Sequence, residues 1–101
     1  MTEAAFTIAA DHPSLPGHFP GRPIVPGVVL LDHALAVIAA AHPGQAICAV
    51  RGVRFRRPVR PGTTLIVQCR PATRGGIEFT AADADGPVLS GIANLSDHPP
   101  V

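Results

Sequence analysis

Only one stretch of this chain, residues 27–42, carries the spacing of a helix, and everything after it reads as strand. Val28, Leu31, Leu35 and Ile38 recur at intervals of three and four, and alanines 34, 36, 39, 40 and 41 add helix propensity. Pro43 and Gly44 should stop the helix, because neither extends it comfortably. Four β-like stretches follow, at 46–56, 63–71, 76–84 and 88–95. The turn signals between them, Pro61-Gly62, Arg74-Gly75-Gly76 and Asp85-Gly86-Pro87, are too short to hold crossover helices. An antiparallel meander is therefore expected, with a further strand at 6–10 and a frayed tail over 96–101. One helix and about five strands suit a single two-layer α+β domain over residues 1–101, the sheet curling around the helix. An open sheet edge would remain, and a second subunit is one way to cover it.

Between the first strand and the helix lies a stiff loop. Prolines 13, 16, 20, 23 and 26, with Gly17, Gly21 and Gly27, fix the backbone at many points over residues 11–27. Such a loop holds a side chain in one place, and it carries His18. Histidine accepts a proton near neutral pH, although a loop histidine can equally be structural. Asp32 is the other unusual choice. Helical spacing places it with Val28, Leu31 and Leu35, on or beside the apolar stripe. An unpaired carboxylate there would be desolvated and would hold its proton more tightly, as a general acid must. The plainer alternative is an aspartate at the stripe's edge, solvated or paired with an arginine. Gly27 opens the helix, where free N–H groups and the helix dipole can polarise a carbonyl oxygen. Base, acid and oxyanion donor thus fall within one short segment.

Composition narrows the remaining classes. Apolar residues make up 47% of the chain, which argues against intrinsic disorder. The longest apolar runs are broken by Asp32 and His33 and are too short to span a bilayer. No basic segment followed by an apolar run marks a secretory signal near Met1, so a cytoplasmic protein is the expectation. Cys48 and Cys69 read as two buried, reduced thiols. No spacing of ligands suggests a metal, and no cofactor is implied. Net charge is only +1, but Arg51, Arg54, Arg56, Arg57 and Arg60 crowd one window without an acid. This is a local basic patch, or else a solvated face with ordinary ion pairs. With no lysine and no binding motif, nucleic acid is not an expected partner.

The string Gly17-His18-Phe19-Pro20-Gly21-Arg22-Pro23-Ile24-Val25-Pro26-Gly27-Val28-Val29-Leu30-Leu31-Asp32 resembles the active-site motif of the 3-hydroxyacyl-(acyl carrier protein) dehydratases of the FabA/FabZ type. A second motif, Val53-Arg54-Phe55-Arg56-Arg57-Pro58-Val59-Arg60-Pro61-Gly62, resembles that family's strand-and-turn signature. The likeness runs over roughly residues 5–95. It implies a hotdog fold, a helix wrapped by an antiparallel sheet, and a dimer whose active sites pair the histidine of one protomer with the acid of the other. By resemblance, His18 removes the α-proton of a 3-hydroxyacyl thioester, Asp32 handles the departing hydroxyl, and the Gly27 N–H polarises the thioester carbonyl. Phe19, Pro26, Val28 and Leu31 would line the acyl tunnel. Arg56, Arg57 and Arg60 would meet the acidic acyl carrier protein. Long-chain dehydratases carry glutamate where this chain has Asp32; aspartate there is similar to the dehydratase/isomerase branch and to the compact ApeI-like branch of aryl-polyene-type biosynthesis, and the short length fits the compact branch better.

Two other readings share these features. A hotdog thioesterase would use an acid and a positioned water, although the His18/Asp32 spacing favours dehydration. A non-catalytic subunit could stabilise a partner dehydratase, making the dimer a heterodimer; otherwise a homodimer is expected. The hydratase branch with an aspartate five residues before a histidine is excluded at the motif level.

Overall fold

A computed structural model of the chain describes residues 2–8 and 24–97. Strand β1 spans Thr2–Thr7, helix α1 Gly27–Ala41, and strands β2 to β5 span Ala46–Phe55, Thr64–Pro71, Ile77–Asp83 and Gly86–Ser96. The helix and the four later strands lie close to where spacing and turn residues put them. β1 is earlier than the expected 6–10. Its residues are poor strand formers, but pairing overrides propensity: Thr2–Thr7 runs antiparallel to β3, from Thr2 opposite Cys69 to Thr7 opposite Thr64.

The strands form one sheet in the order β1-β3-β4-β5-β2, every neighbouring pair antiparallel. The expected four-strand meander holds only for β3, β4 and β5. β2 instead crosses to the far side of β5, and residues 56–63 carry the chain across the end of the sheet. This connection is pinned at several points. The Arg56 N–H donates to Val88 O at 2.7 Å, Gly62 N–H to Ile8 O at 2.7 Å, and Val59 is buried.

One face of the sheet packs on the helix. Leu65, Val67 and Cys69 of β3 alternate inward with Phe79 and Ala81 of β4 and Leu89 and Ala93 of β5, all buried. Helix residues Val29, Leu30, Ala34 and Ile38 meet them. This corrects the expected stripe: Leu31 and Leu35 are half-buried on the flank, and Val28 is 62% exposed. In Gly27–Ala41 only Asp32 and His33 are polar, so periodicity could not choose a face. Packing chose the side with Ala34, whose small side chain allows the helix close to the sheet. At its end the His42 N–H bonds Ala39 O, and His42 Nδ1 lies 2.9 Å from Ile38 O, a contact with the helix C-terminus.

β2 carries two irregularities. Its register against β5 shifts between Ile47 and Ala49 and again between Arg51 and Arg54. Cys48 is the extra residue of the first shift and is exposed, against the expectation of burial, whereas Cys69 is buried; both are free thiols. Gly52 sits in the second with φ +64°, a conformation glycine adopts without strain.

Candidate functional site

The start of the helix opens into a groove. Pro26 precedes α1 with extended backbone angles (φ −56°, ψ 140°), and no side chain caps the helix. Its carbonyl accepts the N–H groups of Val29 at 3.0 Å and Leu30 at 3.4 Å. The first N–H groups, those of Gly27 and Val28, have no acceptor within the helix, and no backbone acceptor is found for them among the described residues. The lead-in is anchored where the Val25 N–H donates to Val59 O at 2.8 Å, tying it to the connection after β2.

Gly27 is there because of what lies against it. A β-carbon at this position would stand 2.8 Å from Cε1 of Phe55, and 3.0 and 3.2 Å from Cδ1 and Cζ. Any side chain there would force the ring or the helix start to shift. Phe55 is the last residue of β2, points to the helix side opposite Leu89, and remains 52% exposed. The adjoining groove, about 700 Å³, has an apolar wall that includes Ile24, Pro26, Leu30 and Phe55, with Gly27 at the helix start and Arg56 and Arg57 alongside. Unpaired N–H donors at the end of an apolar groove can stabilise negative charge on a carbonyl oxygen while the walls hold a chain.

The arginines separate into two kinds. Arg57 is committed to β4 and the following turn. Its Nη1 donates to Asp83 Oδ2 at 2.8 Å, and its Nη2 to Asp83 Oδ1 and to Gly86 O, the latter at 2.8 Å. The hydrogen bonds to Asp83 raise the Arg57 pKa further, and those from Arg57 hold the Asp83 carboxyl below the usual carboxylate range. Arg56 and Arg60 are exposed, and among the described residues neither forms an ion pair. Of the three arginines expected to meet a carrier protein, Arg56 and Arg60 are thus available, and Arg57 braces the fold.

Asp32 does not reach this groove within the chain. Five helical residues from Gly27 turn it roughly 140° around the axis. It is exposed, so its own chain does not take it out of water. Val28 and Leu31 also lie off the groove, and among the described residues Pro26 alone of the expected tunnel set lines it. His18 and Phe19 fall outside the described residues. His33 is half-buried, its ring 5.0 Å from that of Phe6 on β1. Sequence reasoning passed over two residues. Phe55 had a signal, an aromatic closing a strand just before Arg56-Arg57-Pro58. Asp83 had none, because its partner is remote in sequence.

The matches to known proteins agree with this architecture. The chain is 40% identical over 75 residues to the 3-hydroxyacyl-[acyl-carrier-protein] dehydratase FabZ of Thermus thermophilus, covering 65% of this chain and 53% of that protein. It is 43% identical over 91 residues to the FabZ of Chloroflexus aggregans, covering 75% and 62%. The chain therefore spans about half to three-fifths of the length of these curated relatives. Among solved structures, the dehydratase heterocomplex ApeI:P from Xenorhabdus doucetiae superposes with a TM-score of 0.78 at 23% identity, over 92% of this chain and 84% of that one. The F36A mutant of the fluoroacetyl-CoA-specific thioesterase FlK superposes at 0.72 and 14% identity, over 96% and 89%. Both are likenesses of fold, the hotdog arrangement of one helix and a curved antiparallel sheet. The family model described as ApeI-like, ApeI dehydratase, matches residues 1–93, and the chain belongs to that family.

Proposed function

We propose that the protein dehydrates 3-hydroxyacyl thioesters carried on acyl carrier protein, yielding trans-2-enoyl thioesters and water. The observation that carries this reading is the start of α1, where free N–H groups meet an apolar groove of about 700 Å³ at a glycine that Phe55 keeps bare. In this reading the thioester carbonyl accepts from the Gly27 N–H, which lowers the cost of the negative charge formed when His18 takes the α-proton. The electron pair becomes the Cα–Cβ double bond as the Cβ–O bond breaks, and Asp32 gives the leaving hydroxyl its proton. The proton taken by His18 is later returned to Asp32 through solvent, and the pair is reset. Phe19, Val28 and Leu31 continue the acyl path begun by Pro26.

A second subunit completes the site, because Asp32 and Val28 are exposed on the side of the helix away from the groove. Arg56 and Arg60 steer the acidic carrier protein. Among the described residues no helix is long and apolar enough to cross a membrane, which fits action on a carrier protein in the cytoplasm. Thioesterase activity is the second reading, favoured only by the FlK likeness, and the relatives named as dehydratases outweigh it.

The test is direct. Incubate the protein with 3-hydroxyacyl-acyl carrier protein and follow loss of water by mass, beside His18→Ala and Asp32→Asn. Enoyl product is expected from the wild type, with each variant at least about 100-fold slower. Free acid and carrier thiol in place of enoyl product would show hydrolysis, and a wild type no faster than the variants would show a non-catalytic subunit. Mixing the two single variants should restore part of the activity if each site draws on two protomers.

A further inference from the structure

Asp83 ends β4, outside the groove, yet its contact with Arg57 connects it to the helix start. The link is the segment 55–59, which meets the neighbourhood of Gly27 twice. From one side the Phe55 ring occupies the space of a β-carbon on Gly27. From the other the Val59 carbonyl accepts the Val25 N–H at 2.8 Å, two residues before Gly27. Whatever holds 55–59 in place therefore holds the Gly27 N–H in place.

Packing alone does not hold it. Phe55 is half exposed, and its pairing with Leu89 is the last of the β2–β5 ladder. Past that pair the Arg56 N–H donates to Val88 O at 2.7 Å. Val88 is the residue left over where the β4–β5 register shifts, Ala81 standing opposite Leu89 and Ala82 opposite Pro87. Arg57 comes next. Both of its terminal nitrogens donate to the Asp83 carboxylate, and Nη2 also donates to Gly86 O at 2.8 Å. A two-pronged, charge-assisted pair fixes orientation as well as distance.

The receiving turn is itself held. Phe79 and Ala81 are buried on the helix side, and strand alternation carries Asp83 to that side. The Asp85 N–H donates to Asp83 Oδ1 at 2.9 Å and orients the carboxylate. The Asp83 side chain is only 11% exposed, so little water competes for it. From residue 33 to residue 77 the chain contains no aspartate or glutamate, and no acid nearer in sequence could take this place.

We infer that Asp83 is a positioning residue for the proposed dehydration: through Arg57 it holds segment 55–59, and with it the Gly27 N–H, where a thioester carbonyl is polarised. Asp83 itself touches no substrate. The kinetic part of this inference rests on the dehydratase reading, and the structural part does not. A donor held in advance stabilises charge without reorganising, and a misplacement of about 1 Å can cost about 100-fold in rate.

The experiment compares Asp83→Ala, Asp83→Asn and Arg57→Lys with the wild type, well below the thermal midpoint. Glu78→Ala, which breaks the Arg70–Glu78 ion pair on the sheet, is the control and should leave both readouts unchanged. The first readout contains no substrate. The Gly27 α-protons lie against the Phe55 ring, so its ring current displaces their NMR resonances. Loss of the Asp83 contact should move these resonances and that of the Gly27 amide. The second readout is turnover of 3-hydroxyacyl-acyl carrier protein. For each variant kcat per folded molecule should fall at least about tenfold, with KM changed less than about twofold, because the donor acts in the transition state. Asp83→Glu, which keeps the charge, should recover part of kcat. Unmoved Gly27 resonances in a folded Asp83 variant overturn the inference, as does an unchanged kcat or an equal loss in Glu78→Ala. If circular dichroism shows that Asp83→Ala does not fold, Asp83→Asn and Arg57→Lys are read in its place. If the wild type forms no enoyl product, the dehydratase reading falls and the Gly27 resonances alone decide the inference. Unmoved resonances beside an active wild type leave that reading standing.

Discussion

The ring of Phe55 fills the space that a β-carbon on Gly27 would need, with Cε1 2.8 Å from that position. The end of the edge strand and the start of the helix are fitted to each other at the point where free N–H groups meet the groove. Gly27→Ala should therefore force the ring or the helix start to move. Overpacking of this kind costs about 1–3 kcal/mol, offset in part by alanine's better helix propensity, up to about 1 kcal/mol. A net loss of about 1 kcal/mol in urea denaturation is expected, with turnover falling further because the donor shifts. Adding Phe55→Leu should recover stability in the double variant. A Gly27→Ala protein as stable and active as the wild type would show that the contact does not constrain the site.

Asp83 ties acid stability to the Arg57 brace. Its carboxyl is held below the ordinary range by the hydrogen bonds from Arg57, so its folded value lies below its unfolded one, about 3.9. The contribution is complete above the unfolded value and is lost as pH falls through the folded one. The thermal midpoint of the wild type should exceed that of Asp83→Asn at pH 6, and the gap should close as pH is lowered below about 4. Thermal melts of both proteins across pH 3 to 6 check this. A gap that persists or widens in acid would remove Asp83 from the account.

The arginines near the groove should separate in kinetics. Arg56 and Arg60 are exposed and without ion pairs among the described residues, whereas Arg57 is taken by Asp83 and Gly86. Replacing Arg56 and Arg60 together with alanine should raise KM for acyl carrier protein roughly tenfold, about 1.4 kcal/mol, with little change in kcat. The effect should shrink as salt is added. Arg57→Ala should instead lower the thermal midpoint. Equal KM effects from all three positions would contradict this division.

The two thiols should differ in reactivity. Cys48 is exposed on the bulge of β2, while Cys69 is buried in the core and its pKa is raised by burial. Native protein treated with iodoacetamide should take up one label quickly, at Cys48, and the second only on opening or unfolding, as peptide mass mapping will show. Rapid labelling at both sites would mean that the core around Cys69 opens readily. Slow labelling of Cys48 that speeds up on dilution would locate it in a subunit contact.

Much of the architecture was legible in the residues. Turn signals at Pro61-Gly62, Arg74-Gly75-Gly76 and Asp85-Gly86-Pro87 located β3, β4 and β5, and Pro43-Gly44 ended the helix close to Ala41. These are local effects of φ restriction and missing N–H groups, and local effects are written in short stretches of chain. The groove was legible in part. Gly27 and Arg56 could be named from the motifs, but that Phe55 demands the glycine and that Asp83 removes Arg57 from the patch depended on residues far apart in sequence.

The residues alone determined a family, an α+β class, one helix, and a histidine, an aspartate and a helix N-terminus close together in the chain. Only the tertiary structure decided which face of that helix is buried. A helix with two polar residues in fifteen has no preferred side until a sheet packs against Ala34 and Ile38. The same packing leaves Asp32 and Val28 outside. Strand order was likewise a tertiary matter, since β2 could follow the hairpin rule or cross over, and only pairing with β5 separates the two. Burial and strand pairing are non-local and cooperative, so they are settled by the assembled core and not by any one segment.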